Sequence, residues 1–195
     1  MPRPLAEAES VEGHCPYPIE PNDNPGWIGR EPTPDEREIV DWLNRRTLPS
    51  RILHAGVGTA LLTREFGARV VQGFTKDGGE YRNARELGLD TLVCNKYDVS
   101  SYKNLLQNSF DCIVDVNVRS YACCDAHFRE YMDLMLESLT RKGMLLTSRR
   151  GLDYLVPTSI AELKTLCPDW RVRAHGNVVV MRQGYAFRFG RLFDR

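Results

Sequence analysis

The stretch Arg51-Ile52-Leu53-His54-Ala55-Gly56-Val57-Gly58-Thr59-Ala60-Leu61-Leu62-Thr63-Arg64-Glu65-Phe66-Gly67 organises the chain. An apolar run through Ile52 and Leu53 reaches His54 and Ala55, breaks at Gly56-Val57-Gly58, and passes directly into a helix-forming segment. This order reads as strand, tight glycine turn, helix. Such a turn lets backbone approach a ligand closely and aims the positive end of a helix at it, as nucleotide-binding α/β folds do.

Upstream, Thr33-Pro34-Asp35-Glu36 carries a capping threonine, a first-turn proline and the glutamate of a capping box. It predicts a helix to about Arg46 whose Ile39, Val40 and Leu43 form one apolar stripe. Residues 1 to 33 are proline-rich and lack apolar periodicity, so they read as a flexible or lid-like segment ahead of a domain spanning 34 to 195.

Downstream, strand and helix alternate. Helices are expected at 60–66, 80–87, 101–107, 125–140 and from the Ser159/Glu162 capping box through Leu166. Strands are expected at 69–75, 91–97, 110–115 and 144–148. Two more, 170–174 and 178–182, are joined by His175-Gly176-Asn177 without a helix, so the last should run antiparallel to the rest.

At 195 residues the chain suits one domain with a real core. Its 26 basic side chains balance 26 acidic ones, which argues against a broad nucleic-acid footprint or a membrane-surface role. With no membrane-length apolar run and no leader pattern, a cytoplasmic protein is expected. The six cysteines show neither CxxC spacing nor a disulfide ladder, so reduced thiols and no metal site are expected. Adjacent Cys123 and Cys124 read as small apolar residues at a helix start rather than as nucleophiles.

With these elements in place, residues 36 to 183 resemble a class I S-adenosylmethionine-dependent methyltransferase. That family has seven strands with the seventh inserted antiparallel, and a first motif of hydrophobic strand, acidic residue and glycine-x-glycine-x-glycine. Here the motif reads Ile52-Leu53-His54-Ala55-Gly56-Val57-Gly58-Thr59-Ala60, with His54 at the acidic place and Ala60 at the last glycine. The implied fold is an α/β, three-layer Rossmann-like sandwich with a mostly parallel seven-stranded sheet and an antiparallel last strand. A dehydrogenase fits less well, because Leu61 stands where a third glycine is needed and Thr75 where an acid is needed.

The resemblance implies cofactor contacts from His54, Ala55, Gly56 and Gly58 in the turn. At the second strand's end, Gly73-Phe74-Thr75 followed by Glu80 is similar to the glycine-x-threonine and glutamine of the cyclopropane-fatty-acid-synthase branch, so Thr75 and Glu80 join the set. Asn95 and Lys96 lie at the end of the third strand, where the family holds adenine, and Asp115 and Asn117 close the fourth, where the methionine part passes. Asp115, Asn117, Tyr121 and His127 are the candidate catalytic groups. Tyr17 and Trp27 on the N-terminal segment, with Arg119, Arg149 and Arg150 after strand ends, are candidates for holding the acceptor. His54 also reads as an ordinary buried strand-end histidine.

The implied function is methyl transfer from S-adenosylmethionine to a small-molecule acceptor, without nucleic-acid or membrane partners. The aromatic tail Tyr185, Phe187, Phe189 and Phe193 is a candidate homodimer contact. Aminocarboxypropyl transfer, cofactor-assisted cyclisation and a non-catalytic cofactor-binding protein stay open alongside it.

Overall fold

A computed structural model describes residues 30–106, 109–120, 122–153 and 157–184. Tyr17, Trp27, Tyr121 and the aromatic tail from Tyr185 lie outside the described residues. The elements are α1 (Pro34–Asn44), β1 (Ile52–Ala55), α2 (Leu61–Phe66), β2 (Val70–Thr75), α3 (Gly78–Glu86), β3 (Thr91–Val93), α4 (Val99–Tyr102) and β4 (Phe110–Asp115). They continue as α5 (Asp125–Ser138), β5 (Leu139–Ser148), α6 (Arg149–Leu152), α7 (Ile160–Leu166), β6 (Trp170–His175) and β7 (Val178–Gln183).

One seven-stranded sheet has the order β3-β2-β1-β4-β5-β7-β6. β1 pairs in parallel with both β2 and β4, whereas β7 runs antiparallel to β5 and β6. The architecture is thus the Rossmann-like α/β sandwich with an antiparallel last strand. Strand order reverses on either side of β1, which places a crevice outside the carboxyl ends of β1 and β4.

Two apolar cores sandwich the sheet. On one face Ile39 and Leu43 of α1, Leu62 and Phe66 of α2 and Ala84 of α3 pack on Ile52, Cys112 and Val114. On the other, Phe128, Tyr131, Met132 and Met135 of α5 join Tyr102 and Leu163 against Leu53, Ile113 and Leu145. α1 starts where expected, because Thr33 accepts from Glu36 N while the Glu36 carboxylate accepts from Thr33 N at 2.6 Å. Asp77 caps α3 by accepting from Gly79 N and Glu80 N, so that helix begins two residues before the expected position.

Four other expectations are corrected. β3 stops at Val93 instead of running to Tyr97, because Asn95 Oδ1 accepts from Tyr97 N at 3.1 Å and turns the backbone out of the ladder. α5 stops at Ser138, and β5 begins at Leu139, which pairs with Phe110 across a register shift. Gly143 belongs to that irregular strand, and a Cβ there would lie 2.9 Å from Phe110 O. The first helix after β3 is Val99–Tyr102, earlier and shorter than the expected 101–107. Cys94, Cys112, Cys124 and Cys167 are free thiols, but Cys123 is disulfide-bonded, contrary to the expectation of reduced cysteines throughout.

α6 was not anticipated. Its first turn is held by Ser148 Oγ, which accepts from Gly151 N at 2.6 Å, and Gly151 lies so close to the β4 exit that a Cβ would collide with Val116 O and come within 2.6 Å of Asn117 Oδ1. Gly151→Ala should therefore displace the segment after β4 and lower unfolding stability by about 1–3 kcal/mol, the usual cost of overpacking, as read by denaturant titration. Wild-type stability would show that the two loops are not pressed together.

Candidate cofactor site

Outside the carboxyl ends of β1, β2 and β4 lies a cavity of about 500 Å³. The glycine turn forms one side. Gly56 and Gly58 have φ of +66° and +53°, backbone that side-chain-bearing residues adopt at a cost. A Cβ on Gly56 would meet nothing within 4 Å, so that backbone is open to a ligand; one on Gly58 would stand 3.0 Å from Glu36 Oε1. Ala60 shares the left-handed conformation at φ +56°, at the position matched to the family's last glycine.

The Glu80 carboxylate ties the turn to its neighbours. Its Oε2 accepts from Gly58 N at 3.0 Å and from Thr75 Oγ1 at 2.6 Å, so α3, the end of β2 and the turn meet at one oxygen. Thr75 Oγ1 also accepts from Asp77 N at 3.1 Å, which orients the hydroxyl toward Glu80. Burial raises the Glu80 pKa, and the two hydrogen bonds oppose that shift. A carboxylate thus stands beside the end of β2 although the strand itself ends in threonine.

A second cluster closes the other side. Lys96 Nζ donates to Asp115 Oδ2 at 2.8 Å and Oδ1 at 3.1 Å, and to Asn117 O at 2.8 Å. Tyr131 OH donates to Asp115 Oδ2 at 2.8 Å from the α5 side. Asp115 is 2% exposed and Lys96 13%, so the pair is nearly dry, and burial lowers the lysine's pKa against the pull of the aspartate. Tyr97 OH bonds Val118 O at 2.8 Å and Ser120 O at 2.9 Å, and Tyr102 OH bonds Lys96 O at 2.6 Å. The segments after β3 and β4 are thereby fixed to each other. Both tyrosine hydroxyls that face this cluster, Tyr97 and Tyr131, are pushed well above the ordinary range by burial, so they act as neutral donors.

Of the residues singled out from sequence, Ala55, Gly56, Gly58, Thr75, Glu80, Asn95, Lys96, Asp115 and Asn117 line this cavity together. His54 does not. Side chains alternate along a strand, so where Ala55 faces the cavity, His54 points beneath α1 toward Glu36, Ile39 and Leu62. Arg119 is ion-paired to Asp125 and lies 5.3 Å over the Phe128 ring, at the start of α5 rather than in the cavity. His127 Nδ1 sits 3.1 Å from Cys123 Sγ and 3.4 Å from Cys124 Sγ on the same helix start. Arg149 is exposed on α6 and outside the lining.

Arg150 acts at one remove. Its Nε donates to Asp35 at 2.7 Å and its Nη2 to Glu38 at 2.7 Å, while Asn177 Nδ2 also donates to Asp35 at 2.7 Å. Asp35 is a lining residue, so these contacts hold the first turn of α1 against the site. Lining residues that sequence reading missed include Lys76, Asp77, Tyr97 and Ser120. The β2–α3 junction before the Asp77 cap was the one available pointer to the first two.

His54 is 1% exposed, and neither ring nitrogen has a hydrogen-bond partner among the described residues. Burial pushes its pKa down to about 4, against the opposing pull of Glu36 and Asp115. The folded state therefore holds the ring neutral, whereas the unfolded chain takes up a proton near pH 6.5, so stability should fall as pH drops from about 6.5 toward 4. Denaturant unfolding of wild type and His54→Leu across that interval should give a flatter profile for the variant. Parallel profiles would mean that His54 is not the titrating group.

Comparison with protein-family models and with curated proteins gave no match. Solved structures do match. The N-methyltransferase NodS from Bradyrhizobium japonicum, solved with S-adenosyl-L-homocysteine, superposes with a TM-score of 0.57 at 16% identity over 80% of this chain and 90% of its own. The CcbJ methyltransferase from Streptomyces caelestis gives 0.61 at 14% identity, over 78% of this chain and 91% of its own. A TehB-like S-adenosylmethionine-dependent methyltransferase from Corynebacterium glutamicum gives 0.58 at 14%, over 80% and 90%. At these identities the likeness is one of fold: the chain has the architecture of S-adenosylmethionine-dependent methyltransferases.

Proposed function

We propose that this protein binds S-adenosylmethionine in the cavity beside the glycine turn and transfers its methyl group to a small-molecule acceptor. The observation that carries the proposal is the Glu80 carboxylate, seated on Gly58 N and Thr75 Oγ1 at the cavity wall. A carboxylate there is placed to accept from ribose hydroxyls, the task an acid at the end of β2 performs in most proteins of this architecture. Thr75 with Glu80 keeps the spacing of the threonine and glutamine in the cyclopropane-fatty-acid-synthase branch. The cavity volume suits a nucleoside-sized ligand, and the open backbone at Gly56 suits its close approach.

Bound S-adenosylmethionine supplies an electrophilic methyl on a sulfonium centre. The chain's own contribution is placement. Asn95 presents its side chain at the adenine end, with Oδ1 already held by Tyr97 N. Both Asp115 oxygens are taken by Lys96 and Tyr131, so Asp115 fixes the methionine end of the wall rather than serving as a free base. Asn117, next along, keeps its amide at the lining and is the residue placed to touch the acceptor. With no unengaged base among these three, rate enhancement rests on orientation and on excluding water.

Arg30 and the first turn of α1 wall the cavity, which suits residues 1–33 as an acceptor-covering segment ahead of the domain. No helix among the described residues is long and apolar enough to cross a membrane. A cytoplasmic setting completes the proposal, and the balanced charge of the sequence supports an acceptor that is neither nucleic acid nor lipid surface.

Titration calorimetry with S-adenosylmethionine and S-adenosyl-L-homocysteine should show one site. Glu80→Gln should weaken both by about tenfold, ~1.4 kcal/mol, through loss of the charged acceptor. Because burial raises the Glu80 pKa, its ionised form is penalised at neutral pH, and the variant should be at least as stable as wild type there. Absence of binding at millimolar ligand, or unchanged affinity in Glu80→Gln, would overturn the assignment. Product analysis then separates methyl transfer, which yields S-adenosyl-L-homocysteine, from other cleavages of the same ligand.

A further inference from the structure

Cys123, Cys124 and His127 do not line the cavity beside the glycine turn; they meet at the start of α5. Cys124 is the N-cap and His127 the third residue of the first turn, the two positions whose side chains face each other in a capping box. The Cys124 side chain makes no capping bond, and its sulfur lies against the imidazole instead. Cys123, four residues before His127, reaches the same ring nitrogen.

His127 Nδ1 lies 3.1 Å from Cys123 Sγ and 3.4 Å from Cys124 Sγ, and all three donor atoms fall within 4.8 Å of one another. In a tetrahedral zinc site, with Zn–S about 2.3 Å and Zn–N about 2.0–2.1 Å, a sulfur and a nitrogen ligand stand roughly 3.6 Å apart. The separations in this cluster are somewhat shorter, so side-chain rotation alone opens the trio around an ion. The donor set selects which ion. Two thiolates and one neutral imidazole favour zinc over calcium or magnesium, and they bring the charge of a bound Zn2+ to zero. Three protein ligands leave the fourth tetrahedral position to water, and the exposed Cys124 gives the ion a way in.

One ligand is held back. Cys124 is a free thiol, whereas Cys123 is disulfide-bonded, and the metal ligand is a thiolate, not a disulfide sulfur. The trio is complete only after that bond is reduced. Two electrons and two protons convert the disulfide into two thiols, and zinc then displaces one proton from Cys123 and one from Cys124.

We propose that Cys123, Cys124 and His127 form a redox-gated zinc site, closed to the metal while Cys123 is in its disulfide and opened by a thiol or phosphine reductant. It does not depend on the identity of the ligand in the cavity beside the glycine turn. The test uses the full chain before and after treatment with a water-soluble phosphine. The phosphine supplies the two electrons and becomes its oxide, while water supplies the oxygen and the two protons. Once the phosphine has been removed without air, zinc is titrated in competition with a chromophoric chelator. Reduced protein should bind one Zn2+, at least about tenfold more tightly than oxidised protein. In the reduced form Cys124→Ser and His127→Gln should each weaken binding by about tenfold or more, whereas His175→Gln, at an exposed histidine of β6, should change it less than about twofold. Cobalt is the second probe, because Co2+ on the reduced wild type should show sulfur-to-metal charge-transfer absorption that the oxidised protein lacks. Both wild-type comparisons hold even where a variant fails to fold, which circular dichroism reports. Equal affinity in oxidised and reduced protein, no binding at micromolar zinc, unchanged affinity in folded Cys124→Ser and His127→Gln, or an equal loss in His175→Gln would overturn the proposal.

Discussion

Everything at the carboxyl end of this sheet depends on a carboxylate that does not belong to the strand beside it. Glu80 Oε2 is shared by a backbone N–H of the glycine turn and the hydroxyl that ends β2. The glycine turn, 22 residues upstream, is brought to one oxygen with the adjoining end of β2 and start of α3, and the negative charge they hold suits a nucleoside diol. The arrangement has a cost, because the carboxylate is largely desolvated, and the two hydrogen bonds offset part of it. The Asp77 cap makes this geometry reproducible: it fixes the first turn of α3 and hence the direction from which Glu80 reaches back.

On the opposite wall, charge is used differently. Lys96 and Asp115 neutralise each other in near-dry surroundings, and Tyr131 adds a second hydrogen bond to Asp115 Oδ2. A pair like this contributes little net stability against an apolar replacement, yet removing either partner strands a buried charge. Its consequence is positional. The end of β4 and the loop after β3 cannot move independently, and Asn95, Asn117 and Glu80 are among the polar residues that line the cavity. α1 completes the enclosure through Asp35, which Arg150 and Asn177 hold from the far edge of the sheet.

Much of this was legible in the sequence for local reasons. The β1–turn–α2 unit is written in adjacent residues, as are the Thr33/Glu36 and Ser159/Glu162 capping boxes, and the closing hairpin lacks room for a crossover helix. What escaped was set by pairing across the chain. Nothing near Asn95 reveals that its own side chain ends β3, and nothing near Leu139 reveals that Phe110 extends β5 backward. His54 matched a motif by position, but strand alternation turns it under α1 and gives Ala55 the cavity. Arg150 follows a strand end as expected, yet its charge is used on Asp35 and Glu38. The partnership of Lys96 with Asp115 joins residues nineteen apart across the ends of two intervening strands, which spacing alone does not encode.

The central claim is that Glu80 replaces the missing acid at the end of β2. A crystal structure of the protein grown with S-adenosyl-L-homocysteine tests it most directly. The account predicts the ribose between the glycine turn and α3, with at least one hydroxyl in hydrogen-bond contact with the Glu80 carboxylate while Gly58 N and Thr75 Oγ1 keep theirs. A nucleoside bound elsewhere, or one whose ribose leaves Glu80 untouched, would contradict it.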